Sequence, residues 1–334
     1  MNRTAPDQTK LTICVWHPFS EWRPPAALAE AIRSRWPAMR VVHLPNYDRL
    51  PQELADTDIF VGYSLRPQQV AHARKLKWVH STATGVAQLI YPELRDSGIV
   101  VTNPRGIFSI PMAEHTMGLL IALARNFPDS VRYQDRAHWS QQDLWDRYPL
   151  VELNGKLLLI VGFGAIGHEV ARRAKAFDMS VWGVSRTGKG DASLAEKLVP
   201  VAQLREVLPS ADYVVISAPE TPGTRHLLGA EEISLLKPSA CVINVARGSL
   251  VDQAALIAAL QQQRLAGAAF DVTDPEPLPT DHPLWKTPNL FLTPHTSAIS
   301  DRLWPRETAL LLDLLERWFD GRELINQVDL RRGY

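Results

Sequence analysis

Short apolar runs alternate with polar or helical stretches along most of the chain. Leu11-Thr12-Ile13-Cys14-Val15-Trp16, Val41-Val42-His43-Leu44, Ile59-Phe60-Val61-Gly62-Tyr63, Trp78-Val79-His80 and Ile99-Val100-Val101 read as strands. Pro24-Pro25 opens an Ala-rich helical stretch through Trp36, as suits proline in a first turn. From Ile110 to Phe127 the apolar residues fall at helical spacing, and the segment reads as a long connector between domains. A polar stretch containing Trp139 and Trp145 follows, from His138 to Tyr148. A second alternating block starts at Leu157-Leu158-Leu159-Ile160-Val161. Its later strands are expected at 180–184, 213–217, 241–245, 266–270 and 290–292. The last helix, about Arg302 to Phe319, is expected to return to the first block, because the final segments alone cannot form a core. The pattern predicts an α/β chain with two doubly wound parallel-sheet domains, the second inserted in the first. Residues 1–107 and 302–334 form one domain on this reading, and residues 108–301 the other.

Composition narrows the function classes. The 334 residues suffice for two domains of roughly 100–200 residues each. Lys plus Arg (36) balances Asp plus Glu (36), so no global field points to nucleic acid or an anionic membrane. No apolar stretch approaches the roughly 20 residues of a membrane span. The first residues, Met1 to Gln8, hold no apolar segment of the signal-peptide kind, and the cytoplasm is the default expectation. Cys14 and Cys241 lie in apolar runs and read as buried thiols. The histidines show no metal-ligand spacing, so no metal is expected.

The first chemical signal is Gly162-Phe163-Gly164-Ala165-Ile166-Gly167, set between an apolar strand and a helical stretch from Ala165 to Phe177. In that setting Gly162 permits the tight turn, Gly164 lets a pyrophosphate approach the backbone, and Gly167 allows close helix–strand packing. The helix N-terminus, at Ala165 and Ile166, supplies free N–H groups and a partial positive charge. The second domain is therefore expected to be a Rossmann dinucleotide-binding domain. Sites for NAD normally carry an acid about 20 residues further on. Here Val184-Ser185-Arg186-Thr187 holds none. Ser185 does not repel a 2′-phosphate and Arg186 can clamp one, which favours NADPH over NADH. Gly183 with Gly188-Lys189 also has P-loop spacing, but Gly190 stands where a hydroxyl should bind magnesium, and the match reads as chance.

Three further residues follow apolar runs: Arg247, Glu276 and His295. Ligands of open α/β sheets bind outside the carboxyl ends of the strands, so these three should converge on whatever the glycine turn holds. Singly, each has an ordinary reading as a loop charge or a capping histidine. Together, a cation, an acid and an imidazole suit reduction of a carbonyl beside a carboxylate.

The second block resembles the D-isomer-specific 2-hydroxyacid dehydrogenases. The resemblance rests on Leu153-Asn154-Gly155-Lys156 before the glycine turn, Ala218-Pro219-Glu220-Thr221-Pro222-Gly223-Thr224, Leu236-Lys237-Pro238, Ile243 to Gly248, Asp271-Val272 through Glu276-Pro277-Leu278, and Thr293-Pro294-His295. With Met112-Ala113-Glu114-His115-Thr116 it covers about residues 80 to 300. It implies a substrate-binding Arg247, a general acid His295 and a partner Glu276. Pro219, Thr224, Val245 and Ala246 would border the cofactor, Asp271 would hold the nicotinamide carboxamide, and Met112 would sit near that ring. Thr84 and Gly85, in Ala83-Thr84-Gly85-Val86, resemble the loop whose N–H groups take the substrate carboxylate. A homodimer is also implied.

The expected function is NADPH-dependent reduction of a small 2-oxo acid, of glyoxylate or hydroxypyruvate type, to the D-2-hydroxy acid. The NADPH-using relatives suggest that substrate; NADH remains usable on this reading. The alternatives are a dehydrogenase for a larger or aromatic 2-oxo acid, and a non-catalytic dinucleotide-sensing regulator. A formate dehydrogenase fits less well, since that relative carries glutamine in place of Glu276.

Overall fold

The computed structural model describes residues 5–147 and 150–333. The first four residues of the N-terminal reading and Tyr148 lie outside them. The chain divides into two compact units, residues Met1–Ile107 with Ile299–Tyr334, and residues Phe108–Ala298.

In the first unit, β1 (Lys10–Cys14), β2 (Arg40–Leu44), β3 (Ile59–Gly62), β4 (Trp78–Ser81) and β5 (Val100–Thr102) form one sheet in the order β2-β1-β3-β4-β5. Every neighbouring pair is parallel. Side chains alternate between sheet faces, and the core follows suit. Leu11, Ile13, Ile59 and Trp78 pack with Leu311, Leu314, Leu315 and Trp318 of the helix Leu303–Phe319. Cys14, Phe60 and Val79 join a separate cluster with Leu50, Leu54 and Leu89. The Trp78 and Trp318 rings stack at 5.4 Å. Beside them the buried His80 bonds Glu307 of the same helix at 2.9 Å. Lys10, buried at the start of β1, is neutralised by Glu53 at 2.8 Å and by Asp56.

The second unit holds β6 (Leu157–Val161), β7 (Ser180–Ser185), β8 (Lys197–Pro200), β9 (Tyr213–Ile216), β10 (Cys241–Asn244), β11 (Gly267–Phe270) and β12 (Leu290–Leu292). Their order is β12-β11-β10-β9-β6-β7-β8, again all parallel. The chain order reverses between β6 and β9, which makes the end of β6 the switch point where such sheets bind ligands. β8 was not anticipated. Its four residues give too short an apolar run to read, and pairing with β7 holds it, with Lys197 Nζ 4.6 Å from the Trp182 ring centre.

The expected connector is not one helix to Phe127. Ser109–Ala124 ends before Asn126, which is left-handed at φ 50°, and a second helix, Phe127–Asp135, follows with Pro128 in its first turn. Asparagine is among the few residues that tolerate this conformation. Ser109–Ala124 lies within the second unit and buries Ala113, Met117, Leu120 and Ala124 against Leu158, Ile160 and Val170. Both cysteines are buried, and neither is in a disulfide. Burial alone raises the Cys14 thiol to about 12. Among the described residues no helix is long and apolar enough to cross a membrane.

Candidate active site

At the carboxyl end of β6 the chain turns sharply through Gly162, whose φ is +102°. A Cβ here would fall 2.3 Å from the Ala218 nitrogen, so only glycine fits between this turn and the strand end at β9. A Cβ on Gly167 would lie 2.6 Å from the Gly162 carbonyl oxygen, which confirms the close helix–strand packing. A Cβ on Gly164 would meet nothing within 4 Å; the space above that residue is open. The helix Ala165–Lys175 begins immediately after it, with no side-chain cap. The N–H groups of Ala165, Ile166 and Gly167 therefore form an uncapped first turn of the kind that binds phosphate. Open space above Gly164 and these donors fit a dinucleotide pyrophosphate.

Residues of the neighbouring strand ends flank the turn. Ser185 closes β7 and donates its hydroxyl to the Lys189 carbonyl at 2.8 Å, while Arg186 and Thr187 are exposed. After β9, Thr224 Oγ1 donates to the exposed Pro219 carbonyl at 2.8 Å and accepts from the Thr221 N–H at 2.7 Å, closing that loop on itself. Val245 and Ala246 are buried beyond β10. The Val245 N–H bonds the Ile216 carbonyl, and the Ala246 N–H bonds Asn244 Oδ1 at 3.0 Å. Met112 is half-buried on Ser109–Ala124 against the core.

The structure brings Arg247, Glu276 and His295 together. His295 Nδ1 lies 2.7 Å from Glu276 Oε2. A second donor, the Thr273 N–H, reaches Glu276 Oε1 at 2.8 Å. Burial raises the Glu276 carboxyl. The hydrogen bonds from His295 and Thr273 and the positive charges of His295 and Arg247 outweigh it, so the group is held below the ordinary carboxylate range. Arg247 follows β10 and donates from Nη1 to the Ala246 carbonyl at 2.7 Å. What lets its loop approach the Glu276 loop is Gly248. A Cβ there would fall 2.0 Å from the Thr273 carbonyl carbon. The spacing along the sequence gave no sign of that contact.

His295 itself is left-handed at φ 53°, a conformation only a few per cent of non-glycine residues adopt, histidine more often than most. Such strain persists where surrounding contacts over-determine it, and here Asp271 provides them. Its backbone carbonyl accepts the His295 N–H at 2.8 Å. Its carboxylate, buried just past β11, accepts from the Thr293 hydroxyl at 2.6 Å and from the Thr296 and Ser297 N–H groups, both at 2.9 Å. A carboxylate offers about four acceptor positions, so one remains beyond these three donors. The sequence reading gave Asp271 a cofactor role alone and missed its grip on the His295 loop.

In the first unit, Thr84 and Gly85 form the turn after β4. Asn103 Nδ2 donates to the Thr84 carbonyl at 2.8 Å. The Gln88 amide donates to both the Gly85 carbonyl and the Tyr63 carbonyl, which sets Tyr63 beside the turn.

Comparison with known proteins gives the family and the fold. The family model for the D-isomer specific 2-hydroxyacid dehydrogenase NAD binding domain matches residues 117–297. D-3-phosphoglycerate dehydrogenase of Methanocaldococcus jannaschii is 32% identical over 286 residues, covering 85% of this chain but only 54% of that protein's length. Glyoxylate reductase of Pyrococcus furiosus is 34% identical over 254 residues, 74% of this chain and 75% of that one. Among solved structures, a D-isomer specific 2-hydroxyacid dehydrogenase from Xanthobacter autotrophicus Py2, in complex with NADPH and MES, superposes with a TM-score of 0.82. It is 28% identical, with 98% of this chain and 100% of that one covered. The chain belongs to the D-isomer specific 2-hydroxyacid dehydrogenase family, a family of NAD(P)-dependent dehydrogenases and reductases.

Proposed function

We propose that this protein reduces a small 2-oxo acid, of glyoxylate or hydroxypyruvate type, to the D-2-hydroxy acid with NADPH. The observation that carries the reading is the 2.7 Å bond between His295 Nδ1 and Glu276, with Arg247 close enough for its charge to act on that carboxylate. When bound, the reduced nicotinamide supplies a hydride to the carbonyl carbon. A carboxylate only accepts, so Nδ1 carries the hydrogen of that bond and Nε2 is left to deliver a proton to the carbonyl oxygen. Arg247 presents a planar fork that suits the substrate carboxylate and polarises the carbonyl. Thr84 and Gly85 keep the role that the resemblance implies, backbone N–H groups for a substrate carboxylate. Asp271 keeps one acceptor position for the carboxamide. Pro219, Thr224, Val245, Ala246 and Met112 line the cofactor.

The small substrate is supported by the glyoxylate reductase relative, and NADPH by the ligand of the Xanthobacter structure. Ser185 and Arg186 support the same cofactor, since no carboxylate stands among residues 184–187 to repel a 2′-phosphate. Ser185→Asp tests this: the ratio of kcat/KM with NADPH to that with NADH should fall. An unchanged ratio would remove Ser185 from cofactor selection.

A larger or aromatic 2-oxo acid is favoured by one feature. Trp16, Phe19 and Tyr63, each more than two-fifths exposed, follow β1 and β3 at the carboxyl edge of the first sheet, and Tyr63 adjoins the Thr84–Gly85 turn. Higher kcat/KM for phenylpyruvate than for glyoxylate would select this reading.

A further inference from the structure

We infer that His115 is a positioning residue for the His295 loop. The inference rests on reading His295 as the general acid.

Thr293 Oγ1 lies 2.6 Å from Asp271 Oδ1 and 3.0 Å from His115 Nε2. A hydroxyl has a single hydrogen, and the carboxylate, which cannot donate, takes it. Toward His115 the same oxygen therefore accepts, so Nε2 carries a hydrogen. The result is a one-way chain: His115 Nε2–H to the Thr293 hydroxyl, and that hydroxyl to Asp271. Nε2 is also 3.6 Å from Asp271 Oδ1, close enough to reinforce the hold on that carboxylate.

Asp271 is the hub on which residues 293–297 fold, through the four bonds described above. His115 adds a brace from another element. It stands on the helix Ser109–Ala124, and its neighbour Glu114 pairs with Arg173 of the glycine-turn helix at 3.0 Å. Adjacent residues of one helix thus hold both the helix behind the dinucleotide turn and the loop that presents His295. A left-handed histidine has little tolerance for slack, and a misplacement of about 1 Å near a reacting centre can cost about 100-fold in rate. His115 touches none of the reacting atoms; it acts through Thr293 and Asp271.

Glutamine keeps an N–H donor on a flexible side chain, whereas phenylalanine keeps the ring bulk without the donor. The test compares His115→Phe, His115→Gln, Thr293→Val and Thr293→Ser with the parent and with His295→Ala. Three quantities are read: steady-state reduction of glyoxylate and hydroxypyruvate, the NADPH dissociation constant by fluorescence, and hydrogen exchange of the 293–298 backbone. His115→Phe and Thr293→Val should lower kcat by about 10- to 100-fold with NADPH affinity little changed. Both should speed exchange at Thr296 and Ser297, and His115→Gln and Thr293→Ser should restore most of both readouts. Unaltered exchange and kcat in His115→Phe would overturn the inference. So would equal impairment in His115→Phe and His115→Gln, which would mean that the imidazole serves only as packing. Exchange reads the loop without turnover. If His295→Ala retained its kcat, the general-acid reading would fall, while the brace would still be judged by exchange alone.

Discussion

The contacts of Glu276 set the direction in which its carboxyl responds to acid. Its folded-state carboxyl is held below the ordinary value, because the bonds from His295 and Thr273 and two positive charges outweigh burial. The contribution of that contact to stability is therefore complete above the unfolded value of ~4.3 and is lost as pH falls through the lower folded value. A carbon-detected NMR titration of Glu276 should give a midpoint below ~4.3 in the parent. In His295→Ala the midpoint should rise, since a bond and a charge that favour the ionised form are gone. A midpoint that does not move would mean that the pair is not coupled. At this scale the sequence was informative where a residue follows a strand, as Arg247, Glu276 and His295 do. It was silent on the Thr273 N–H that holds Glu276 and on the Asp271 carboxylate that holds residues 293–297. Those contacts depend on how loops meet in space, which neither spacing nor apolar pattern encodes.

At the scale of elements, close approaches decide what the loops can do. Gly248 lets the arginine loop lie on Thr273, and Gly248→Ala should push the two loops apart. Turnover should then fall sharply with a smaller loss in NADPH affinity, read by steady-state kinetics and fluorescence titration. Parent-like turnover would show that the contact can relax. In the first unit the helix Leu303–Phe319 completes the sheet, with Leu314 fully buried among Leu11, Ile13 and Trp78. Leu314→Ala should cost about 2–5 kcal/mol in urea unfolding, as expected for a large side chain removed from a packed core. A loss well below 1 kcal/mol would place that helix outside the cooperative core. Most strands were legible because a buried parallel strand needs a continuous apolar run. β8 was not, since Lys197 opens a run of only four residues. The helix break at Asn126 was missed because apolar spacing continues through it to Phe127, while a left-handed asparagine leaves no mark on periodicity.

For the molecule as a whole, the two parallel sheets and the reversal of strand order were readable from alternation and from one glycine turn in context. The assembly state was not, because nothing in the pattern distinguishes an exposed apolar residue from an interface. The segment 127–145 leaves Phe127, Val131, Trp139 and Trp145 more than half exposed, with Trp139 at 94%. Contiguous exposed apolar surface marks protein contacts, so this segment is where the homodimer that the family resemblance implies is to be tested. Sedimentation should give twice the chain mass, and Trp139→Ser with Trp145→Ser should shift the protein toward monomer; a parent protein that sediments as a monomer would exclude the dimer. The central claim, that Arg247, Glu276 and His295 reduce a 2-oxo acid with NADPH, is tested most directly by nicotinamide oxidation. The parent and His295→Ala would each be assayed with NADPH and NADH against a panel of 2-oxo acids. The parent should turn over a small 2-oxo acid, faster with NADPH, and His295→Ala should lose most of kcat with NADPH binding kept. Tight NADPH binding without turnover of any 2-oxo acid, or a fully active His295→Ala, would contradict the claim.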